Sequence, residues 1–239
     1  MIWIIVLLIV IICFLWFDLW FYRKNEIIFG RTFRAAEKKS DIVIIFNSGG
    51  WGVVRYKDAK DLNPIIENIK KHLKGKKVTV VPYYRTESHL VGRIAYLKDY
   101  LSFFSKESKQ VASILEESQK DVILIGLSNG ALLVDRAMER MKHKKNIISI
   151  ELGKPFFGGH SKNKNILLIN DKRDALSNGN ILKLLKTLIL SPINWIRNVV
   201  FKKEIAIGLA LRIDGHIYDW ETYEKVITKF LDKKLCLKK

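Results

Sequence analysis

Asp121-Val122-Ile123-Leu124-Ile125-Gly126-Leu127-Ser128-Asn129-Gly130-Ala131 is the stretch on which the reading of this chain turns. Val122 to Leu127 is a short apolar run that predicts a buried strand. Ala131 to Lys142 follows with helical periodicity. Between them lies Gly126-x-Ser128-x-Gly130. A serine at the apex of a tight strand-to-helix turn presents its hydroxyl as a nucleophile, and the flanking glycines leave room where a side chain would collide with the strand or helix. A turn that happens to contain serine is the plainer alternative for the bare pattern. The strand before and the helix after favour the nucleophile.

Working outward, Asp41 to Phe46 is a continuous β-branched and apolar run, typical of a strand covered on both faces. It opens into Asn47-Ser48-Gly49-Gly50-Trp51-Gly52. A helix is predicted from Pro64, with Ile65, Ile66, Ile69 and Leu73 on one face and Gly75 as a stop. Lys77 to Val81 reads as a strand ended by Pro82, and residues 90–120 carry helical periodicity. Beyond the central stretch, Asn146 to Leu152 and Asn165 to Asn170 read as strands; the second runs into Asp171-Lys172-Arg173-Asp174. Residues 181–200 read as helix with a break at Pro192, residues 204–213 as a last strand, and Tyr218 to Leu231 as a closing helix after Asp214-Gly215-His216. Strands alternating with helices predict an α/β fold, a mostly parallel sheet flanked by helices.

The N-terminus differs. Met1 to Phe17 has no charged side chain, Asp18 follows, and Trp16, Trp20 and Tyr22 cluster before Arg23-Lys24. About 20 apolar residues cross a bilayer, and no basic n-region or small-residue cleavage site suggests a signal peptide. The expected organisation is a transmembrane anchor at residues 1–22, a basic connector at 23–40 and one α/β domain at 41–239. Arg23, Lys24, Arg31, Arg34, Lys38 and Lys39 all follow the span, which puts the C-terminal domain on the cytoplasmic side. The chain has 42 Lys+Arg against 24 Asp+Glu, a formal charge of +18. That excess suits an anionic membrane surface. Without a nucleic-acid-binding motif it does not by itself argue for nucleic acid. The two cysteines, Cys13 and Cys236, lie far apart in sequence and suggest no disulfide framework. No cofactor motif or metal-ligand cluster is visible.

In a parallel sheet, functional groups gather at the carboxyl ends of strands. Ser128 follows one predicted strand, Asp171 and Asp174 a later one, and His216 the last. The order nucleophile, acid, histidine resembles that of the α/β-hydrolase superfamily, and the resemblance covers residues 41 to about 232. The Asn47-Ser48-Gly49-Gly50-Trp51 loop is similar to the His-Gly-Gly-Gly-Trp loop of hormone-sensitive-lipase-type esterases, with Asn47 for His and Ser48 for the first Gly. The resemblance implies Ser128 as nucleophile, His216 as base, and a carboxylate holding the imidazole tautomer. It implies an oxyanion hole from the backbone N–H of Asn129 and one from Gly49 or Gly50. The family's strand-Gly-x-x-Asp pattern aligns Asp171 with the glycine and Asp174 with the acid; Asp171 stays the alternative, with an Asx-type turn role for whichever is not used.

His72, His89, His143 and His160 compete with His216. His72 and His143 sit late in helices, where capping or surface roles are ordinary. His89 opens a helix, and His160 lies in a glycine loop. Residues 181–190 with Trp195 and Ile196 read either as the usual helix covering the sheet or as a lid or membrane-lying helix. Phe156 and Phe157 could line a pocket or pack a connection with solvent-facing lysines. Arg85 follows a strand end and could bind an anionic substrate group or form an ion pair. These readings imply a membrane-anchored serine hydrolase, esterase- or lipase-like, cleaving a carboxylic ester, with lipid the favoured class, through an acyl-enzyme. Membrane lipids and a small acyl ester are the expected partners, with no nucleic acid. A catalytically silent α/β-hydrolase-fold membrane scaffold is the alternative.

Overall fold

The computed structural model describes residues 2–48, 59, 62–84, 98–99, 101–159, 161–202 and 215–236. Five strands form one all-parallel sheet: β1 (Ile42–Asn47), β2 (Val78–Pro82), β3 (Asp121–Leu127), β4 (Ile147–Leu152) and β5 (Ile166–Ile169). Their spatial order is β2-β1-β3-β4-β5. Every residue of β1 and β4 is buried. This is why β1 is an apolar run up to Asn47 rather than an alternating one: both faces of the sheet are covered. β4 buries Ser149 and Glu151 among its apolar residues.

One face carries α1 (Ile2–Lys39), α3 (Ser105–Glu116) and α4 (Asn129–Arg140). There Phe29, Phe33, Val43, Ile45, Leu115, Leu124, Leu132 and Met138 share a core. The other face carries α2 (Leu62–His72) and α6 (Trp220–Lys234), with Ile44, Ile66, Ile69, Ile125, Ile150, Ile227 and Leu231 packed together. The helix following β1 therefore lies on one face and the helix following β3 on the other. Since β1 and β3 are hydrogen-bonded neighbours, the chain leaves them in opposite directions. Their carboxyl ends are thus a topological switch point, the general ligand position in open parallel sheets. Asn47 and Ser128 stand at the two strand ends that flank it.

Two expectations for the N-terminus change. Residues 23–39, expected as a connector, continue α1 without interruption. The reason is in their spacing: Phe29, Phe33 and Ala36 fall on one helical face and bury it. The Phe29 ring meets Tyr83 edge-on at 4.9 Å, and the Ser118 hydroxyl donates to Glu37 at 2.6 Å. The expected transmembrane helix is not found as such. Among the described residues no helix is long and apolar enough to cross a membrane. Residues 2–22 form instead the first half of α1, on which Ile5, Val6, Leu8 to Ile12, Leu15 and Trp16 are exposed. The side chains of residues 1–4, Leu7, Asp18 and Phe21 lie outside the description.

The helix after the acid also departs from expectation. α5 (Ile181–Lys202) continues through Pro192, where a break was expected. A proline forfeits one intrahelical donor and usually kinks or ends a helix, at a cost of about 3 kcal/mol. Nor does α5 cover the sheet: none of its described side chains is buried. The expected last strand at 204–213 lies outside the described residues.

Candidate active site

The turn between β3 and α4 has the geometry that its glycines allow. Ser128 adopts φ 56° and ψ −122°, a region that costs an L-residue of order 1–3 kcal/mol and persists only where the surroundings enforce it. They do so by crowding. A Cβ on Gly126 would stand 2.6 Å from the nitrogen of Ala131, and one on Gly130 would stand 2.3 Å from the Asn47 carbonyl oxygen. The turn can close only with hydrogen at both positions. The Ser128 N–H is bound to the Leu152 carbonyl at 2.8 Å, which pins the turn to the end of β4. Ser128 makes no side-chain bond to the helix it precedes, so its hydroxyl is not spent on capping. The α4 N-terminus begins at Asn129, and the positive dipole end of a helix favours negative charge.

The acid and the histidine meet. Asp174 is fully buried, and its Oδ2 lies 2.7 Å from Nδ1 of His216 and 2.8 Å from the Tyr218 hydroxyl, which donates to it. Its Oδ1 accepts from the backbone N–H groups of Leu176 at 2.9 Å and Ser177 at 3.3 Å. Burial alone would raise the pKa of this carboxyl. The hydrogen bond and charge of His216, the Tyr218 hydroxyl and the Leu176 N–H outweigh it and leave the pKa below the ordinary value. An ionised carboxylate only accepts, so the proton of the shared bond sits on Nδ1 and the lone pair of neutral His216 is on Nε2. The tyrosine hydroxyl, buried against that carboxylate, is pushed well above its ordinary range. Gly153 makes the arrangement possible from below: a Cβ there would lie 2.9 Å from His216 Cε1 and 2.7 Å from the Tyr218 ring. Gly153 directly follows Leu152, whose carbonyl holds Ser128. The imidazole and the serine are thus hung on adjacent residues of one strand end. Among the described residues no hydrogen bond joins Ser128 Oγ to His216; such bonds often tighten only when substrate is bound.

Asp171 has a separate job. Its carboxylate accepts from Arg173 Nε at 3.0 Å and Nη2 at 2.9 Å, and from the Tyr223 hydroxyl at 2.9 Å. The Arg173 hydrogen bonds hold its pKa well below the usual range. Burial and the bond to Asp171 push Tyr223 up to about 12. The Arg173 backbone N–H also donates to Asp171 Oδ1 at 2.8 Å, an Asx-type turn. Geometry therefore gives the histidine to Asp174.

His72 is bound to Asp232 of α6 at 2.7 Å, and His143 lies 3.5 Å from Glu116. Both tie helices to neighbours. Gly49, Gly50, Arg85, His89 and His160 lie outside the described residues. Phe157 packs against the core, whereas Phe156 is largely exposed. Lys154, a lysine of the loop that was read either as lining a pocket or as a packed connection with solvent-facing lysines, is instead buried with Asp135 of α4, 2.9 Å away, and Glu151 of β4, 3.7 Å away. Burial and the charge of Asp135 raise Glu151 far above its ordinary pKa. Two features went unnoticed in the sequence: Tyr218, signalled by His216-x-Tyr218, and this buried cluster, for which one lysine among 42 Lys+Arg gave no signal.

No known protein family and no curated protein matches this chain. Among solved structures it is similar to Trichoderma reesei cutinase in complex with a C11Y4 phosphonate inhibitor. Identity is 18% and the TM-score 0.40, over 59% of this chain and 65% of that one, less than two thirds of the cutinase's length. A likeness this slight adds nothing to the geometry above.

Proposed function

We propose that the chain is a serine hydrolase of α/β-hydrolase type that cleaves a carboxylic ester through an acyl-enzyme. One observation carries the reading. A serine forced into a strained turn lies one strand end from a histidine whose Nδ1 is held by a fully buried carboxylate. In the proposed reaction, His216 Nε2 takes the proton of Ser128 as Oγ bonds to the ester carbonyl carbon. The tetrahedral oxyanion is met by the Asn129 N–H, with Gly49 or Gly50 the second donor. The C–O bond to the alcohol breaks as that oxygen takes the proton from Nε2. Water, deprotonated by the same nitrogen, then releases the acid and restores the serine. Asp174 stays ionised throughout and stabilises the imidazolium. No cofactor or metal has a part in these steps.

Membrane attachment belongs to the same proposal. The exposed apolar side chains of the first half of α1 support it, and the basic residues from Arg23 to Lys39 favour the cytoplasmic side for the body. A lipid ester is then the favoured substrate class. The test is turnover of a soluble short-chain p-nitrophenyl ester by the full chain and by Ser128→Ala. Activity in the first and its loss in the second supports the reading. A folded wild type without turnover would favour a silent scaffold instead.

A further inference from the structure

α5 is amphipathic the wrong way round for a helix that packs on a protein. Leu182, Leu185, Ile189, Ile193, Ile196 and Val200 recur at spacings of three and four, and so form one stripe. All six are exposed, Leu182 at 82% and Ile189 at 72%. The partly buried positions include polar ones: Lys183, Thr187, Ser191 and Asn194. Lys183 Nζ donates to the Arg173 carbonyl at 3.0 Å, and the Lys183 N–H is capped by Asn180. The polar side is thus turned inward and tied to the rim of the site, one residue from Asp174. The stripe is left outward over roughly 27 Å at 1.5 Å per residue.

We infer that the outward stripe of α5 lies in the surface of an anionic phospholipid bilayer, beside the opening of the active site. Charge selects this occupant. The chain carries +18, so a second copy would be repelled, whereas an anionic leaflet is attracted. Lys186 and Arg197 are exposed at the border of the stripe, where long basic side chains reach phosphates while their stems stay among apolar groups. The first half of α1 exposes a second set of apolar side chains, so two elements of this chain ask for the same solvent. An amphipathic helix of this composition lies in the interface rather than crossing it. It would bring the rim at Arg173 and Asp174 to the depth at which lipid ester carbonyls sit. That last consequence rests on the hydrolase reading; the docking of α5 does not.

The test uses the full chain with Cys13→Ser and Cys236→Ser, both natural cysteines being exposed. An environment-sensitive fluorophore is attached at Ile189→Cys on the stripe or, as control, at Glu224→Cys on the exposed side of α6. With phosphatidylcholine–phosphatidylglycerol vesicles the label at 189 should shift to the blue and the label at 224 should not. Pure phosphatidylcholine, or the added changes Lys186→Glu and Arg197→Glu, should weaken the shift. A label at 189 that stays water-like on vesicles with which the protein sediments would overturn the inference. So would a shift that needs no vesicles and grows with protein concentration, since a second copy would then cover the stripe. Ile189→Glu with Ile193→Glu should lower hydrolysis of a vesicle-borne ester about tenfold while leaving a soluble ester unaffected. If the wild type cleaves neither ester, the hydrolase reading fails and the fluorescence still decides the place of α5.

Discussion

α4 and α5 each follow a strand-end group of the site, and they meet the rest of the molecule in opposite ways. α4 starts at the nucleophile turn and buries eight of its residues, from Gly130 to Met138, against β1, β3 and β4. α5 starts seven residues after Asp174, is the more apolar of the two, and buries none of its described side chains. Apolar content therefore does not decide which helix enters the core. Position over the sheet does. α4 leaves the centre of the sheet and falls back across it, whereas β5, from which α5 departs, is an edge strand among those described. The buried helix fixes the nucleophile. The bare one is free to meet something outside the chain.

The largest effects should come from the groups fixed at the strand ends. Asp174→Asn should reduce turnover of a soluble ester about 10⁴-fold, by losing the tautomer that leaves a lone pair on Nε2. Asp171→Asn should stay within about tenfold of wild type, because its partners are Arg173 and Tyr223 and not the histidine. The reverse ranking of the two would reassign the acid.

Stability should separate the two helices next. Leu132→Ala on α4 removes a fully buried side chain and should cost about 2–5 kcal/mol in denaturant unfolding. Ile189→Ala on α5 should stay within about 0.5 kcal/mol, as expected for an exposed position. Equal costs would mean that α5 is packed on the body after all.

The smallest effect concerns the cluster behind α4. Lys154 faces two buried carboxylates, so three ionised groups would leave an uncompensated negative charge. Burial raises both carboxyls, and Glu151, fully buried and farther from the ammonium than Asp135, is the better place for that proton. A carboxyl whose pKa is raised on folding binds more protons in the native than in the unfolded state. Its contribution is complete below the ordinary value of about 4.3 and is lost as pH rises toward the raised one. Asp174 runs the other way: its lowered pKa contributes above the ordinary value and is lost as pH falls through the lowered one. Glu151→Gln keeps an acceptor for the Ser149 hydroxyl and removes its titration. The melting temperature of the wild type should therefore decline relative to this variant as pH rises above about 4.3. Parallel curves would place the proton elsewhere.

Much of this was legible in the sequence, for definable reasons. Strands covered on both faces are mostly apolar, so β1, β3 and β4 stood out to within a residue or two. Ser128 was legible because only a tight turn needs glycine both two before and two after it. Asp174 over Asp171 was legible only through a family's spacing. The physical difference, a fully buried carboxylate on the histidine against one tied to arginine, belongs to tertiary structure. The burial of Lys154 was illegible, since its partners come from β4 and α4. So was the bareness of α5, since helical periodicity tells that a face is apolar but not what covers it. The stretch at 23–40 was read as a connector because its basic residues drew more attention than Phe29, Phe33 and Ala36, whose spacing builds the face that docks.

The central claim is that Ser128, strained into its turn, is the nucleophile that His216 and Asp174 serve. The most direct measurement is peptide mapping by mass spectrometry after treating the folded full chain with a fluorophosphonate. The account predicts one covalent phosphonate on Ser128, absent in Ser128→Ala and formed far more slowly in Asp174→Asn. A folded protein left unmodified, or an adduct on another residue that persists in Ser128→Ala, would contradict it.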